Sequence, residues 1–335
     1  MKDIDFFSSH HYIFLPTKKN LKVALAIDNS KLSYNAFKLY NPFSLKAKFF
    51  KTIMKICFKY FNILFKHLLS NKKEKSNFIQ FLEKELHTHL VVSLYFATAK
   101  DKVVLQLQSK DAKIIGYLKY PINNIGRLHL ANEIKAIEIL SKKRIVKSYF
   151  LQKKYKGVDF LLLKELDGSI GSITKNNIDI ILNKFQRSES YILSQHPRII
   201  ELKKLLYQHG MFIYIEKIES IYKNSTLEYK LVYEHGDFAP WNIVKVKEKY
   251  IPFDFEYFVE DGLEYLDMLK YYYQIGKLLK LKKDSDLVKY MQENINTIEF
   301  KELFQIFLIK EILLSKKEKT SYIFEENILK LMEQE

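Results

Sequence analysis

Apolar and polar positions change period along the chain, and the changes divide it. From about residue 91 the apolar residues fall in short runs: Val-Val-Ser-Leu-Tyr-Phe-Ala-Thr, Lys-Val-Val-Leu-Gln-Leu-Gln and Ile-Ile-Gly-Tyr-Leu-Lys-Tyr-Pro. These read as three successive strands with turns near 99–101 and 109–112. Two further strands are predicted at 148–154 and 159–163, after a helix over Leu130–Leu140. Beyond residue 166 the period lengthens to that of helices, at 173–185, 199–208, 262–279 and through 284–333. Ahead of the strands, the pattern predicts one helix over Leu45–Leu69 and a short one over Phe78–Leu86. In the first, Lys51, Lys55 and Lys59 stack along one face, leaving Phe50, Ile53, Met54, Cys57, Phe61 and Leu64 for another. Residues 1–44 carry short apolar patches to which no site is assigned.

Residues 231–258 interrupt the helical regime. Leu231–Tyr233 reads as a buried strand, and Ile243–Val246 with Tyr250–Phe253 as a hairpin. The loop between them, His235–Asn242, is kept out of regular structure by Gly236 and Pro240. Strands at both ends hold Asp237 and Asn242 close to Asp254 at the far end of the hairpin. Two carboxylates and an amide oxygen converging on one spot suit Mg²⁺, a hard ion that prefers oxygen and keeps phosphate as a ligand. Phosphoryl transfer asks for this set: one Asp takes the proton of the attacking hydroxyl, while an Asn and a second Asp hold metal against nucleotide phosphates. The spacing H-x-D-x-x-x-x-N followed by D-F-x matches the protein-kinase pattern, except that Gly236 stands for Arg and Glu256 for the Gly after Asp-Phe.

In the form His-Gly-Asp-x-x-x-x-Asn, the loop resembles the aminoglycoside phosphotransferase and choline kinase superfamily. Its Phe-Ala-Pro-Trp is similar to members that sit among bacterial surface-polysaccharide genes. The resemblance, strong at 235–256 and weak elsewhere in 91–275, implies a two-lobed protein-kinase-like α+β fold with a small β lobe and a larger helical lobe. On that plan residues 1–90 form an N-terminal extension with the basic amphipathic helix, 91–165 the nucleotide-binding β lobe, and 166–335 the catalytic and substrate lobe. It further implies Asp237 as catalytic base, His235 as a brace for the loop, and Asn242 and Asp254 as Mg²⁺ ligands. Lys119 would reach the phosphates of ATP, oriented by Glu133, with Glu138 as the fallback partner. Backbone groups near Glu165 and Leu166 would pair with the adenine edge before Gly168 and Gly171 turn the chain. Asp267 resembles the family's buried Asp that receives backbone N–H bonds from the catalytic loop. The hairpin turn Thr-Ala-Lys-Asp-Lys contains no Gly, which departs from protein kinases and favours the small-molecule branch. The activity implied is ATP- and Mg²⁺-dependent phosphoryl transfer to a hydroxyl of a small molecule or glycan, with a lean toward sugars. A non-catalytic pseudokinase that binds a nucleotide or a partner is the alternative.

Composition narrows the setting. In 335 residues, 47% hydrophobic and 15% aromatic content excludes wholesale disorder. A single cysteine, Cys57, excludes an internal disulfide and a cysteine zinc site, and fits a reduced, cytoplasmic setting. The N-terminus does not read as a signal peptide, and no run of eighteen apolar residues predicts a spanning helix. Few Gly and Pro among many Lys, Ile, Phe and Tyr suggest an AT-rich bacterial genome. The net charge of +16 implies an anionic partner. No helix-turn-helix or aromatic-basic RNA motif stands out, so nucleic acid is not expected. Between Leu45 and Lys75, nine lysines face one acid, Glu74, which points to peripheral contact with an anionic inner membrane face. The pairs His10–His11 and His87–His89 have no acidic or Cys ligands at metal spacing, and Trp241 reads as packing. Glu256, Glu260, Asp261 and Glu264 cluster in sequence beside the loop. The oligomeric state is left open.

Overall fold

Apolar runs bounded by turns pair into one antiparallel sheet in the first half of the chain. The structure is a computed structural model that describes residues 5–16, 21–39, 45–96, 101–147, 151–171, 173–223 and 225–334. Two compact units result, one of residues 1–134 and 148–166, the other of residues 135–147 and 167–335. Strands of the first unit are β1 (His11–Pro16), β2 (Leu21–Ala26), β3 (Asn71–Lys72), β4 (Val91–Phe96), β5 (Lys102–Gln108), β6 (Ile114–Pro121), β7 (Leu151–Tyr155) and β8 (Val158–Lys164). They form an eight-stranded sheet in the order β3-β1-β2-β4-β5-β6-β8-β7. Residues 1–90, expected as an extension, thus contribute three strands to the same sheet as the β lobe. Tyr12 shows why: its buried hydroxyl donates to the Val92 carbonyl at 2.8 Å and stitches β1 toward β4. Residues 98–100 of the predicted Gly-free turn and residues 148–150 at the start of the 148–154 strand lie outside the described residues.

The helices of this unit are α1 (Ser30–Ala36), α2 (Leu45–Tyr60), α3 (Asn62–Leu69), α4 (Asn77–Leu86) and α5 (Asn124–Lys142), the last of which belongs to this unit only up to residue 134. Helix α4 starts on the Ser76 hydroxyl, which accepts from the Ile79 N–H at 3.3 Å. It drives Phe78 into an aromatic cluster, with ring centroids 5.5 Å from Phe6, 5.2 Å from Tyr120, 4.9 Å from Tyr155 and 5.7 Å from Phe160. The single helix predicted over 45–69 is broken between Tyr60 and Asn62. There the buried Asn62 amide donates to the Ile27 carbonyl at 3.0 Å and to the Ser33 hydroxyl at 2.7 Å, which pins the chain out of line.

The second unit contains β9 (Ser169–Ile170), α6 (Lys175–Asn183), β10 (Gln186–Ile192), α7 (Pro197–Gln208), α8 (Phe212–Tyr222), β11 (Glu228–Glu234), β12 (Ile243–Val246), β13 (Lys249–Pro252) and β14 (Val259–Leu263). Helices α9 (Leu266–Gln274), α10 (Asp284–Asn294), α11 (Phe300–Glu318) and α12 (Ile323–Gln334) close it, with a π turn over Ile275–Leu279 after α9. Two three-stranded sheets are ordered β10-β11-β14 and β13-β12-β9. The helix expected from Gly262 starts only at Leu266, because 259–263 pairs with β11 as a strand. Gly262 lies so close to Glu234 that a Cβ there would sit 2.3 Å from the Glu234 Cβ, and Tyr265 turns the chain at φ +72° before the helix begins. Among the described residues, no helix is long and apolar enough to cross a membrane.

Truncating the ring at the centre of the aromatic cluster, Phe78→Ala, is expected to cost about 3–5 kcal/mol of the first unit's stability. Denaturant unfolding followed by tyrosine and tryptophan signals checks this, and a midpoint within error of the parent would contradict it.

Candidate active site

The site in the second unit is built from a buried charge outward. Glu234 ends β11 with no exposed surface, its carboxylate receiving Arg198 Nε at 3.0 Å and Lys310 Nζ at 3.0 Å. Burial opposes ionisation, yet the two cations hold the Glu234 acid down at about 2. The next two backbone N–H groups, of His235 and Gly236, donate to the two oxygens of Asp267 at 2.6 and 2.9 Å. Asp267 lies in the first turn of α9 and is buried. Burial, reinforced by the Glu234 charge, pushes its acid up to about 7, while the two N–H donors pull the other way. At Gly236 the backbone takes φ +81°, and a Cβ would meet the Tyr257 carbonyl oxygen at 2.1 Å. Only glycine fits that corner.

The turn delivers Asp237. Its backbone carbonyl and its Oδ2 both accept from the Asn242 amide, at 2.8 and 2.9 Å. Asn242 closes a 3-10 turn over Pro240–Asn242 and is itself buried. Its carbonyl accepts the Phe253 N–H at 2.9 Å, and the Phe253 carbonyl in turn accepts from His235 Nε2 at 3.0 Å. Loop and hairpin are thereby laced together one residue ahead of Asp254, which adopts φ +70°. Asp237 is half-buried, with Oδ1 3.7 Å from Lys270 Nζ. Burial raises its acid above the ordinary range; Lys270 opposes the rise, and Asp254 and Glu311 add to it. Lys270 is buried on α9 and pairs with Glu311 at 2.6 Å.

The donor set fits Mg²⁺. The Asn242 NH₂ is spent on Asp237, so its Oδ1 is the atom left to ligate. The Asp254 charge disfavours ionisation of Asp237, a repulsion a divalent cation relieves. A cavity of about 260 Å³ adjoins Asp237 within the same unit, walled by Tyr257, Lys270, Lys277, Glu311 and Glu325.

In the first unit, Lys119 Nζ lies 2.7 Å from both oxygens of Glu133. Lys119 belongs to β6, between β5 and β8, and Glu133 to α5, and both are buried. Glu138, the fallback, is exposed. Glu165 follows β8 and accepts from Lys38 Nζ at 3.1 Å, with Leu166 closing the segment. The structure therefore joins Asp237 to Asn242, His235 to the Asp254 hairpin, and Lys119 to Glu133.

Sequence reasoning missed Lys270 and the partners of Glu234. A signal existed: Lys270 sits three residues after Asp267 on an apolar helix, and Lys310-Glu311 interrupts the apolar run Phe307–Leu314. The histidine pair at 10–11 also gains an unforeseen acid, because Asp28 accepts from both rings and lies 3.4 Å from Lys66.

No protein-family model and no curated protein matches the chain. Solved structures do. A thermostable variant of the aminoglycoside phosphotransferase APH(4)-Ia, in ternary complex with ADP and hygromycin B, aligns with 76% of this chain and 97% of its own at 6% identity and a TM-score of 0.52. The macrolide 2'-phosphotransferase MphH from Brachybacterium faecium covers 75% of this chain and 96% of its own, at 12% identity and a TM-score of 0.47. Choline kinase from Cryptosporidium parvum covers 73% and 88%, at 10% identity and a TM-score of 0.48. The chain thus has the protein-kinase-like fold that the first of these shares, an antiparallel-sheet lobe and a helical lobe.

Asp267→Asn should loosen the loop, since an amide oxygen can accept only one of the two N–H groups and its NH₂ opposes the other. Hydrogen exchange at the His235 and Gly236 amides is expected to speed up at least about tenfold, the equivalent of one hydrogen bond's ~1.4 kcal/mol. The folded Asp267 carboxyl titrates above its unfolded counterpart, so the stability it contributes is complete below about pH 4 and lost as pH rises toward 7. That slope should flatten in the variant; equal exchange rates and an unchanged slope would refute the assignment.

Proposed function

We propose that the protein transfers the γ-phosphoryl group of ATP, with Mg²⁺, to a hydroxyl of a small, donor-rich acceptor. The observation that carries this is the Asp237–Asn242 pair on a loop whose backbone is gripped by Asp267. The fold shared with a phosphotransferase captured with ADP and an aminoglycoside supports it. In this reading Asp237 orients the acceptor hydroxyl and takes its proton, aided by an acid strength already shifted upward. His235 holds the loop against the hairpin, so the carboxylate does not drift from the attacking oxygen. Asn242 and Asp254 would hold the metal, which when bound neutralises charge on the phosphates. Lys119 is assigned to nucleotide phosphate as a fixed cation, with Glu133 keeping its ammonium in place. Backbone groups at Glu165 and Leu166 are assigned to the adenine edge.

The cavity beside Asp237 informs the acceptor class. Its wall carries the acids Glu311, Glu318 and Glu325 beside Lys270 and Lys277. Burial opposes the charge of Glu311, but Lys270 and Lys310 keep that acid below its ordinary range, so it stands ionised. Such a wall favours acceptors rich in O–H or N–H groups, sugars and amino sugars among them, and disfavours those bearing phosphate or carboxylate.

Asp237→Asn is expected to lower phosphoryl transfer about 10²–10⁴-fold, the worth of a positioned base, with nucleotide affinity nearly unchanged. Labelled ATP and a panel holding glucose, glucosamine and glucose 6-phosphate would measure it; transfer within a few-fold of the parent, or preference for the phosphorylated sugar, would argue against this reading. Asp254→Ala should abolish Mg²⁺-dependent ATP binding, because the neutral Asn242 cannot replace a charged ligand. Calorimetric titration with an unaltered affinity would show that Asp254 is not a ligand.

A further inference from the structure

Helix α2 has two apolar faces, and the fold uses one. Met54 and Phe58 turn inward, with the Phe58 ring 5.6 Å from Phe37 in a cluster that includes Ile13, Val23 and Leu25. Phe49, Ile53, Ile56 and Tyr60 recur at intervals of four, three and four residues, which places them on one side of the helix. That side faces solvent: the four are 69, 40, 52 and 68% exposed. Phe50, Phe61 and Leu64 also lie open. Helix α3 extends the patch with Ile63 at 74% and Leu64 at 53% exposure. Contiguous apolar surface of this kind marks an interaction site.

Charge identifies what covers it. Residues 45–69 hold six lysines and no acid. Lys48 and Lys59 are exposed and lie along one flank of the apolar stripe, about a quarter turn from its centre. We infer that α2 and α3 form a docking surface for an anionic lipid bilayer, entered in-plane and shallowly by the stripe, with lysines at the headgroups. A nucleic-acid backbone would satisfy the lysines but offers nothing to Phe49, Ile53 and Ile56. A second copy would satisfy the apolar stripe but would set lysine against lysine with no acid between.

The full chain, sedimented with vesicles of phosphatidylcholine containing phosphatidylserine, should bind at low salt and release as salt rises; it should stay in the supernatant with phosphatidylcholine alone. Lys48→Ala with Lys59→Ala should weaken the partition about 25-fold, a fivefold loss per lysine near an anionic surface. Ile53→Ser with Ile56→Ser should weaken it at every salt concentration. Both positions are exposed, so melting curves matching the parent are expected and separate docking from folding. Protein that remains in the supernatant at low salt overturns the proposal. So does binding that the serine pair leaves unchanged, or duplex DNA binding at matched salt that is indifferent to that pair. Self-association without lipid that the serine pair abolishes assigns the face to a second copy instead.

Discussion

A single carboxylate holds the second unit's central loop in place. Asp267 takes the N–H groups of His235 and Gly236 on its two oxygens, so its position on α9 sets where the strand β11 must stop and turn. Everything downstream follows from that turn. The chain can make it because Gly236 has no Cβ to strike the Tyr257 carbonyl. Asp237 emerges one residue later, and the Asn242 amide catches both its backbone and its side chain. A mobile base would spend most of its time out of line with an acceptor. Here two hydrogen bonds precede the carboxylate and two follow it, so its orientation is fixed by the fold and needs no ligand.

That arrangement places several charges where water does not compensate them, and the fold answers with pairs. Glu234 is matched by Arg198 and Lys310, and Glu311 by Lys270. In the other unit, Lys119 and Glu133 are matched with each other. Buried pairs of this sort add little net stability compared with apolar packing, and breaking one leaves a costly bare charge. Their consequence is positional, since each fixes a side chain to within a hydrogen bond. By contrast, much of the chain's positive excess is spread over one helical segment that carries no acid at all.

The geometry of the Asp237 loop was legible because its residues are unusual where they stand. Polar His235, Asp237 and Asn242 interrupt strand-forming runs, and a strand-loop-hairpin pattern brings them together over a short span of chain. Lys119 and Glu133 could be paired because a strand and the next helix carry them, fourteen residues apart. Less was legible where the partner is distant in sequence. Nothing local to Asp28 announces His10 and His11, and nothing in β1 announces that its Tyr12 hydrogen-bonds to Val92. Residues 262 and 263 read as the start of a helix because apolar residues recur at that period through α9, yet pairing with β11 decides their conformation. The outward stripe of α2 was not legible for a related reason. A helix with apolar residues on two sides gives no local sign of which side the core takes, and Phe37 and Phe58 settle it.

The central claim is that the Asp237 loop does chemistry on a nucleotide. It is tested most directly by following ADP formation from ATP and Mg²⁺ in the absence of any acceptor, by ³¹P NMR over hours. Water can stand in for the missing hydroxyl, so the parent protein should release ADP slowly, the Asp237→Asn variant should not, and chelating the metal should stop the reaction. ATP binding without measurable turnover in the parent, or turnover that survives loss of the Asp237 carboxylate, would contradict the account.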